Sequence, residues 1–347
     1  MPTPSFPRPR PDFNYDLANE KAALDSLFAE RKVPRPRSGR LLLASWNIAN
    51  LGEQKRDPKD LELIAHLMSR FDLIAVQEVK SNLDHFEQIV DHMGPGYDWM
   101  VNDVAGNNER LAFVFKKRKV KTGRLFAEIA IPEKDFPTHT VVVPYQVKKQ
   151  QRVDVFYHLR FTPFDRNPYI GTFETGALSF TLVNVHLYYG SFKAAKKVAE
   201  RAKYARRVLE IYMLGKWARS RAKSSTAYDR DIILLGDMNV PEMSNDDAAY
   251  QALLKSGLKP LDAHSKAGGS NLDGSKTYDQ LAITPGAVKE RTLGYDVFDF
   301  DNAVFKDKWD ELEQKHGTKG ANPKFNKYVK FHISDHRPLW MELNTEG

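Results

Sequence analysis

Polar side chains capable of metal or proton chemistry stand at the ends of several apolar runs in this sequence. A turn, an ion pair or a half-buried histidine would explain any one of them structurally. Polar residues of this kind at six predicted strand ends indicate one common functional site. Because antiparallel strands leave and enter a sheet at the same end, we expect these groups to converge on one rim. They are Asn47, Glu78, His186, Asp237, Asn239, Asp279, Asp335 and His336.

This set of side chains points to phosphoester hydrolysis. Glu78 and Asn47, with a further carboxylate, are hard oxygen ligands of the kind that Mg²⁺ accepts, and Mn²⁺ or Ca²⁺ could take the same place. Two histidines beside acidic residues provide imidazoles that can take a proton from water. The chain has no cysteine, which excludes disulfides, thiolate ligands and cysteine nucleophiles.

Composition limits the class of protein. The chain has 347 residues, of which 41% are hydrophobic and 28% charged, as in an ordinary globular protein rather than a disordered one. We predict no membrane span and find no signal peptide, so the expected location is the cytoplasm or an unassigned compartment, and a trimmed secreted chain stays an alternative. The net charge of +7 favours anionic partners such as nucleic acid. No feature indicates an obligate protein partner.

Apolar and β-branched runs predict the elements that must position these residues. Helices are predicted near 58–70 and 192–222, and glycine-, serine-, asparagine- and lysine-rich stretches predict exposed loops at 264–276 and 315–327. Strands separated by helices and long loops favour a layered α/β sandwich. The predicted strands are 41–46, 72–76, 111–115, 178–187, 231–235, 278–283 and 337–343.

Two basic segments flank this pattern. Residues 1–39 hold two proline- and arginine-rich clusters around a helix predicted from about Tyr15 to Lys32, and we interpret them as an N-terminal arm preceding a main domain at 40–347. Residues 193–223 hold 11 Lys or Arg against two Glu. This second segment is either a solvated helix face or a contact with phosphate groups.

Eight motifs in chain order resemble the endonuclease/exonuclease/phosphatase superfamily and span about residues 40–344. The resemblance implies a four-layered, deoxyribonuclease I-like α/β sandwich of two packed, mainly antiparallel sheets flanked by helices. His186 and the stretches 47–55 and 108–115 resemble the deoxyribonuclease I branch. Residues 134–160 depart from the pattern as an insertion. The motifs are WNIANLG (46–52), QEV (77–79), ERLAF (109–113), FDRNP (164–168), NVH (184–186), GDMN (236–239), YD (278–279) and SDHRP (334–338).

The resemblance also implies a role for each site residue. His336, oriented by Asp279, would activate water, and His186, paired with Glu109, would donate a proton. The other implied roles are cation binding by Glu78, Asn47 and Asp335, positioning of water and phosphate oxygens by Asp237 and Asn239, and phosphate contact by Arg166 and Asn239. Apart from the resemblance, Lys80 directly follows the Glu78 strand end, where it is either a contact with the DNA backbone or a solvated lysine.

Three functions fit these residues. The leading one is a Mg²⁺-dependent DNA endonuclease without strong sequence preference, because a basic chain has affinity for the phosphate backbone. A phosphodiesterase or phosphatase on another phosphoester, sphingomyelinase-like or acting on phosphoinositides, would use the same core with different loops. A catalytically silent binding module is the third, and the filled catalytic positions argue against it.

Overall fold

The computed structural model describes residues 6–10, 12–148, 151–189, 198–264 and 268–347. Its α-helices are α1 (Leu17–Glu30), α2 (Pro58–Met68), α3 (Asp84–Met93), α4 (Val198–Lys223), α5 (Ala248–Lys255), α6 (Ala287–Arg291) and α7 (Lys306–His332). Within the described residues, none of these helices has the length and apolar character that a membrane crossing requires. The strands are β1 (Arg40–Leu51), β2 (Leu73–Lys80), β3 (Tyr97–Val101), β4 (Glu109–Lys116), β5 (Lys121–Glu128), β6 (Thr138–Lys148), β7 (Gln151–Arg160), β8 (Tyr169–Thr175), β9 (Leu178–His186), β10 (Ile232–Asp237), β11 (Lys259–Pro260), β12 (Asp279–Ile283), β13 (Thr292–Val297) and β14 (Leu339–Asn344).

The strands form two large sheets and one ribbon. The first sheet has the order β13-β14-β1-β2-β4-β3, and the second has the order β11-β12-β10-β9-β8-β5. Neighbours are antiparallel except β1 with β2 and β9 with β10, which are parallel. All seven strands predicted from apolar runs are confirmed, as β1, β2, β4, β9, β10, β12 and β14. Strands β6 and β7 pair only with each other and occupy most of the predicted insertion 134–160.

Alternation along the strands creates the layers. Leu41 and Leu43 of β1 share one buried cluster with Phe180 and Leu182 of β9, so this part of the core lies between the two sheets. The alternate residues of β1 join a second cluster with α2 and α3, and the outer face of the second sheet packs against α4 and α5. The order helix, sheet, sheet, helix confirms the predicted four-layered sandwich.

Strand direction brings the polar residues to one edge. Because β1 runs parallel to β2 and β9 parallel to β10, their C-terminal ends align, and Asp237 pairs in register with His186. Strands β4 and β12 are antiparallel to these neighbours and therefore begin at the same edge, with Glu109 and Asp279 as their first residues. Glu78 lies near the end of β2. The predicted convergence thus follows from the mixture of parallel and antiparallel pairs.

The prediction of a loop at 315–327 is wrong, although most of these residues are exposed as expected. These residues lie inside α7, which has a kink at Gly317 (φ 66°). The polar composition concealed a helical pattern, because Ala321, Phe325 and Tyr328 recur at spacings of four and three and are all buried. The α7 helix covers the outer face of the first sheet with α1, α2 and α3.

The predicted helix in the N-terminal segment is confirmed as α1, capped by the Asp16 carboxylate on the backbone N–H of Asn19. Leu24 and Phe28 are buried in the same core as the first sheet, and the ring of Phe28 stacks on Phe298 at 4.1 Å. This helix therefore shares the core of the sandwich. The division of the chain at residue 39 stays a prediction about domains.

The helix predicted near 192–222, which carries the second basic segment, is present as α4 from Val198 onward. The preceding residues 190–197, including Lys193, Lys196 and Lys197, lie outside the described residues. Its inner face is less apolar than its buried position suggests. Arg207 and Glu210 are each 1% exposed, so two of its charged residues face the protein and not solvent.

Candidate active site

The carboxylate of Asp237 occupies the centre of the polar edge. Its Oδ2 accepts a hydrogen bond from Asn47 Nδ2 at 3.1 Å, and the same oxygen lies 3.5 Å from His186 Nε2 and 3.8 Å from His336 Nε2. Its Oδ1 accepts from the backbone N–H of Asn239. Asp237 is 2% exposed, so both imidazoles face one buried carboxylate.

Glu78 and Asn47 form the neighbouring part of the site. Asn47 Nδ2 donates to Glu78 Oε1 at 3.1 Å, and the backbone N–H of Asn50 donates to Glu78 Oε2 at 2.8 Å. Glu78 has a φ of 61° and Asn50 a φ of 49°. Such left-handed backbone in non-glycine residues is strained and concentrates at functional sites. The strand end is therefore shaped to present this carboxylate.

His186 forms the first histidine–carboxylate pair. Its Nδ1 lies 2.8 Å from Glu109 Oε2, and Lys80 Nζ donates to the other oxygen of Glu109 at 2.9 Å. Burial raises the pKa of the Glu109 carboxyl, but His186, Arg166 and Lys80 outweigh it and lower that pKa to about 2. Glu109 is therefore charged at neutral pH and holds the His186 ring in one orientation.

His336 forms the second pair, on the other side of Asp237. Its Nδ1 lies 2.8 Å from Asp279 Oδ2, and Trp46 Nε1 donates to its backbone carbonyl at 2.7 Å. Burial opposes a charge on this imidazole, yet the carboxylates of Asp279 and Asp237 outweigh burial and raise the pKa of His336 well above its ordinary value. The cationic form of this ring is therefore stabilised.

Two polar side chains, which the sequence analysis names only within motifs, hydrogen-bond to the strands that carry the site residues. Asn184 of β9 accepts from Gln77 Nε2 at 2.6 Å and donates to the carbonyls of Val76 and Ala112, so it links the two sheets directly below the polar edge. The Ser334 hydroxyl donates to the carbonyl of Asn47 at 2.7 Å and accepts from the backbone N–H of His336. Its position in the SDHRP motif was the only sequence signal for this role.

The structure presents two groups of side chains with ligand atoms close enough to share a metal ion. One group is Glu78, Glu109 and His186, and the other is Asp237, Asp279 and His336. Asp335 belongs to neither of these groups of described residues, and its carboxylate forms an ion pair with Lys330 at 2.6 Å. The predicted cation-binding role of Asp335 gains no support from this geometry.

Both cations that are predicted to contact phosphate or the DNA backbone, Arg166 and Lys80, are buried. Arg166 is 3% exposed and donates to the backbone carbonyls of His186 and Leu187, so its guanidinium supports the His186 strand end. Lys80 is 5% exposed and pairs with Glu109. Short-range spacing could not show that both cations neutralise one buried carboxylate and are directed away from solvent.

Asn239 has a φ of 53° and builds the turn after β10. Its Nδ2 donates to the carbonyl of Leu187 at 3.0 Å, so the amide donor serves the fold. Glu210 of α4 was missed by sequence reasoning. Its carboxylate accepts from the backbone N–H of Tyr188 at 2.9 Å, and burial raises its pKa. Both contacts fix the segment that follows His186.

Known proteins resemble this chain in sequence and in fold. No protein-family model matches it. A deoxyribonuclease of Thioalkalivibrio sp. (strain K90mix) is 26% identical over 240 residues, which are 65% of this chain and 55% of that protein. The chain thus spans about half the length of this curated relative.

Two solved structures share the architecture. An endonuclease/exonuclease/phosphatase family protein from Bacteroides thetaiotaomicron superposes with a TM-score of 0.50 at 16% identity, covering 88% of this chain and 97% of that one. D. rerio TDP2 complexed with single strand DNA product has a TM-score of 0.50 at 12% identity, covering 89% and 100%. The chain therefore has the fold of the endonuclease/exonuclease/phosphatase proteins, and the resemblance predicted from its motifs is confirmed.

Proposed function

We propose that this protein is a metal-dependent hydrolase of phosphoester bonds and that its substrate is DNA, cleaved internally and without strong sequence preference. The observation that carries this proposal is the pair of imidazoles facing one buried carboxylate, with Glu78 and Asn47 beside it. Each imidazole is held by its own carboxylate at 2.8 Å. This arrangement can move protons on two sides of a phosphorus centre.

The donor set fits a hard divalent cation. Glu78 and Asp237 supply carboxylate oxygens. The Oδ1 of Asn47 is buried, and the described residues give it no hydrogen-bond partner, which is rare for a buried acceptor. Glu78 and Asn47 are the residues that would hold Mg²⁺, with Mn²⁺ or Ca²⁺ as substitutes. When bound, the cation would offset the negative charge that develops on the phosphate.

The two histidines divide the proton transfers in this proposal. His336, oriented by Asp279, takes a proton from water, and His186, oriented by Glu109, donates a proton on the leaving side. Asp237 lies between their Nε2 atoms, so it holds both rings towards the same point. Positioned general acids and bases typically contribute about 10²–10⁴-fold each.

DNA is the proposed substrate because two independent observations favour it. The chain is basic, with a net charge of +7, and a polyanionic backbone gains affinity from such a charge. The related protein of Thioalkalivibrio is a deoxyribonuclease. Loops around the site decide the substrate in such a fold, so the substrate is tested separately from the chemistry.

The decisive experiment offers the purified chain supercoiled plasmid, single-stranded DNA, RNA, sphingomyelin and inositol phosphates, each with Mg²⁺ and with EDTA. We expect nicking of the plasmid with Mg²⁺, no nicking with EDTA, and loss of nicking in Glu78→Gln with an unchanged melting temperature. Hydrolysis of a lipid or inositol phosphate in place of DNA would contradict the proposed substrate but support the proposed phosphoester hydrolysis. Inertness towards every phosphoester would indicate a binding module.

A further inference from the structure

A groove beside the active site is built from the N-terminal segment and helix α7. The N-terminal segment contributes Arg8, Arg10 and Phe13, and the C-terminal half of α7 contributes Lys324, Lys327 and Lys330. We call this surface the N-terminal groove. Five cationic side chains and one carboxylate, Asp12, line it, so the lining carries a net positive charge.

Ion pairs hold the N-terminal wall of the groove in place. Both terminal nitrogens of Arg8 donate to the carboxylate of Asp57, at 2.8 and 2.7 Å, just before α2. The Tyr328 hydroxyl of α7 donates to the carbonyl of Phe13 at 2.7 Å. Bidentate arginine–carboxylate pairs are geometrically specific, so the groove is a fixed feature of the fold.

Three cations of the groove lack a protein counter-charge. Arg10, Lys324 and Lys327 are exposed, and the described residues provide no hydrogen bond or ion pair to any of them. Arg8 and Lys330, in contrast, are paired with Asp57 and Asp335. Unpaired cations of one sign on one surface attract a polyanion and favour its association.

Hydrogen bonds and an ion pair connect the groove to the active site. Gln54 lines the groove, and its Nε2 donates to the carbonyls of Ala49 and Lys330. Ala49 precedes Asn50, whose backbone N–H holds Glu78. Lys330 in turn pairs with Asp335, the neighbour of His336. Lys330 is half-exposed, contacts Asp335 beside His336 and also lines the groove, so the groove is the neighbouring surface for a strand that leaves the catalytic centre over Lys330.

We propose that the N-terminal groove binds the sugar-phosphate backbone of the nucleic-acid strand that flanks the scissile phosphate. This inference rests on the proposed function and adds the surface that holds the substrate. Helix α4 is the weaker alternative. Its exposed cations Lys216, Arg219, Arg221 and Lys223 lie in its C-terminal half, which leads to the N-terminal end of β10 and therefore away from the active-site edge. Three of its other cations are occupied. Arg207 is buried, Lys203 pairs with Glu200, and Arg206 lies over the ring of Tyr188.

The test compares two triple variants of the full chain that remove the same charge. The groove variant is Arg10→Gln, Lys324→Gln and Lys327→Gln. The control variant is Arg118→Gln, Lys121→Gln and Lys289→Gln. These three residues are exposed. They follow the C-terminal ends of β4 and β12, which lie at the edge of the sheets opposite the active site. Binding of fluorescein-labelled 20-nucleotide single-stranded and duplex DNA is measured in EDTA across a salt series. Hydrolysis of bis(4-nitrophenyl) phosphate with Mg²⁺ reports the catalytic centre.

We expect the groove variant to flatten the slope of log K against log salt by roughly 2–3, because each lost phosphate contact reduces it by about 0.7–0.9. The control variant should keep the wild-type slope, and all three proteins should hydrolyse the small phosphodiester equally. An unchanged slope in the groove variant, or an equal change in both variants, would contradict the proposal that the N-terminal groove binds the nucleic-acid backbone. Failure of the wild-type chain to bind or cleave any nucleic acid, with the small diester still hydrolysed, would instead overturn the proposed substrate.

A second measurement separates binding from folding. The ratio of kcat/KM for a 20-nucleotide strand to that for a 4-nucleotide strand should exceed one in the wild type, because only the longer strand reaches the groove. This advantage should shrink in the groove variant and persist in the control variant. Loss of activity on both strand lengths with a lowered melting temperature would indicate a structural role and contradict the proposal.

Discussion

His186 and His336 have the same immediate geometry, with Nδ1 2.8 Å from a carboxylate and Nε2 directed towards Asp237. Their surroundings differ. The chain buries two cations, Lys80 and Arg166, against the carboxylate of Glu109. Around Asp279, the described residues provide no lysine or arginine partner. Ser270 accepts from its backbone N–H, and His264 contacts its backbone carbonyl.

Because of this difference, the carboxylates of the two pairs are neutralised by different groups. Glu109 is shared among three partners, and its pKa falls to about 2 although burial opposes this. Within the part of the chain that the structure describes, Asp279 has only His336 to neutralise it, and together with Asp237 it raises the pKa of that imidazole. The Glu109 carboxylate is thus neutralised by two buried cations as well as by His186, and the Asp279 carboxylate by His336. The proposed division of proton transfers between the two histidines rests on this difference.

The largest effect is expected from removing both histidines. His336→Ala and His186→Ala should each lower kcat by about 10²–10⁴-fold. The kcat of the double variant should be only slightly below that of the less active single variant, because both rings act in one step. Single-turnover cleavage of a labelled duplex measures this. Losses that multiply in the double variant would show that the two pairs act in separate steps.

The next effect concerns the pH profile and separates the two pairs directly. Asp279→Asn removes the carboxylate that supports the charge on His336, so the pKa of this imidazole should fall. Because the proposed base must be neutral, the rising limb of kcat against pH should lie above the ordinary histidine value of about 6.5 in the wild type and move to lower pH in the variant.

Glu109→Gln is the matched comparison for that experiment, since it alters the carboxylate of the other pair. It should leave the rising limb in place while lowering kcat. Movement of the falling limb in Asp279→Asn would instead give His336 the donor role, and the two histidines would exchange their assignments.

A smaller effect is expected when the neutralised pair loses one cation. Lys80→Met leaves the buried Glu109 with less compensation and should lower the free energy of unfolding by about 3–5 kcal/mol at pH 7. The folded-state pKa of Glu109 lies below its unfolded value, so its stabilisation is complete above that unfolded value and is lost as pH falls towards about 2.

The difference between Lys80→Met and wild type should therefore shrink in urea titrations between pH 5 and about pH 2–3. Lys117→Met is the control, because Lys117 is exposed and should change stability by less than about 0.5 kcal/mol. A difference independent of pH would show that Lys80 acts through packing and not through Glu109.

The asymmetry between the pairs also marks how far the sequence could lead. Period-two alternation and apolar runs are local signals, so they predicted the strands and placed both histidines at strand ends. The partner carboxylate of each histidine was implied by the resemblance to the superfamily. The inward direction of Lys80 and Arg166 depends on contacts between residues 20–60 positions apart in the chain. Helix α7 was missed because Gly317, Pro323 and the lysines around them outweighed the spacing of Ala321, Phe325 and Tyr328.

The smallest effect should come from the support of His336 and not from its chemistry. Ser334→Ala removes the hydroxyl that joins the carbonyl of Asn47 to the backbone N–H of His336, and leaves a buried acceptor and donors unpaired at a cost of about 1–3 kcal/mol. We expect a lower melting temperature and a loss of kcat below about tenfold, with the rising limb of the pH profile unmoved, because Asp279 still holds Nδ1. Ser334→Thr keeps the hydroxyl and should restore most of the stability. A shift of the pH limb in Ser334→Ala would mean that the backbone support, and not Asp279 alone, sets the protonation of this imidazole, and the contrast between the two pairs would then rest on more than their carboxylates.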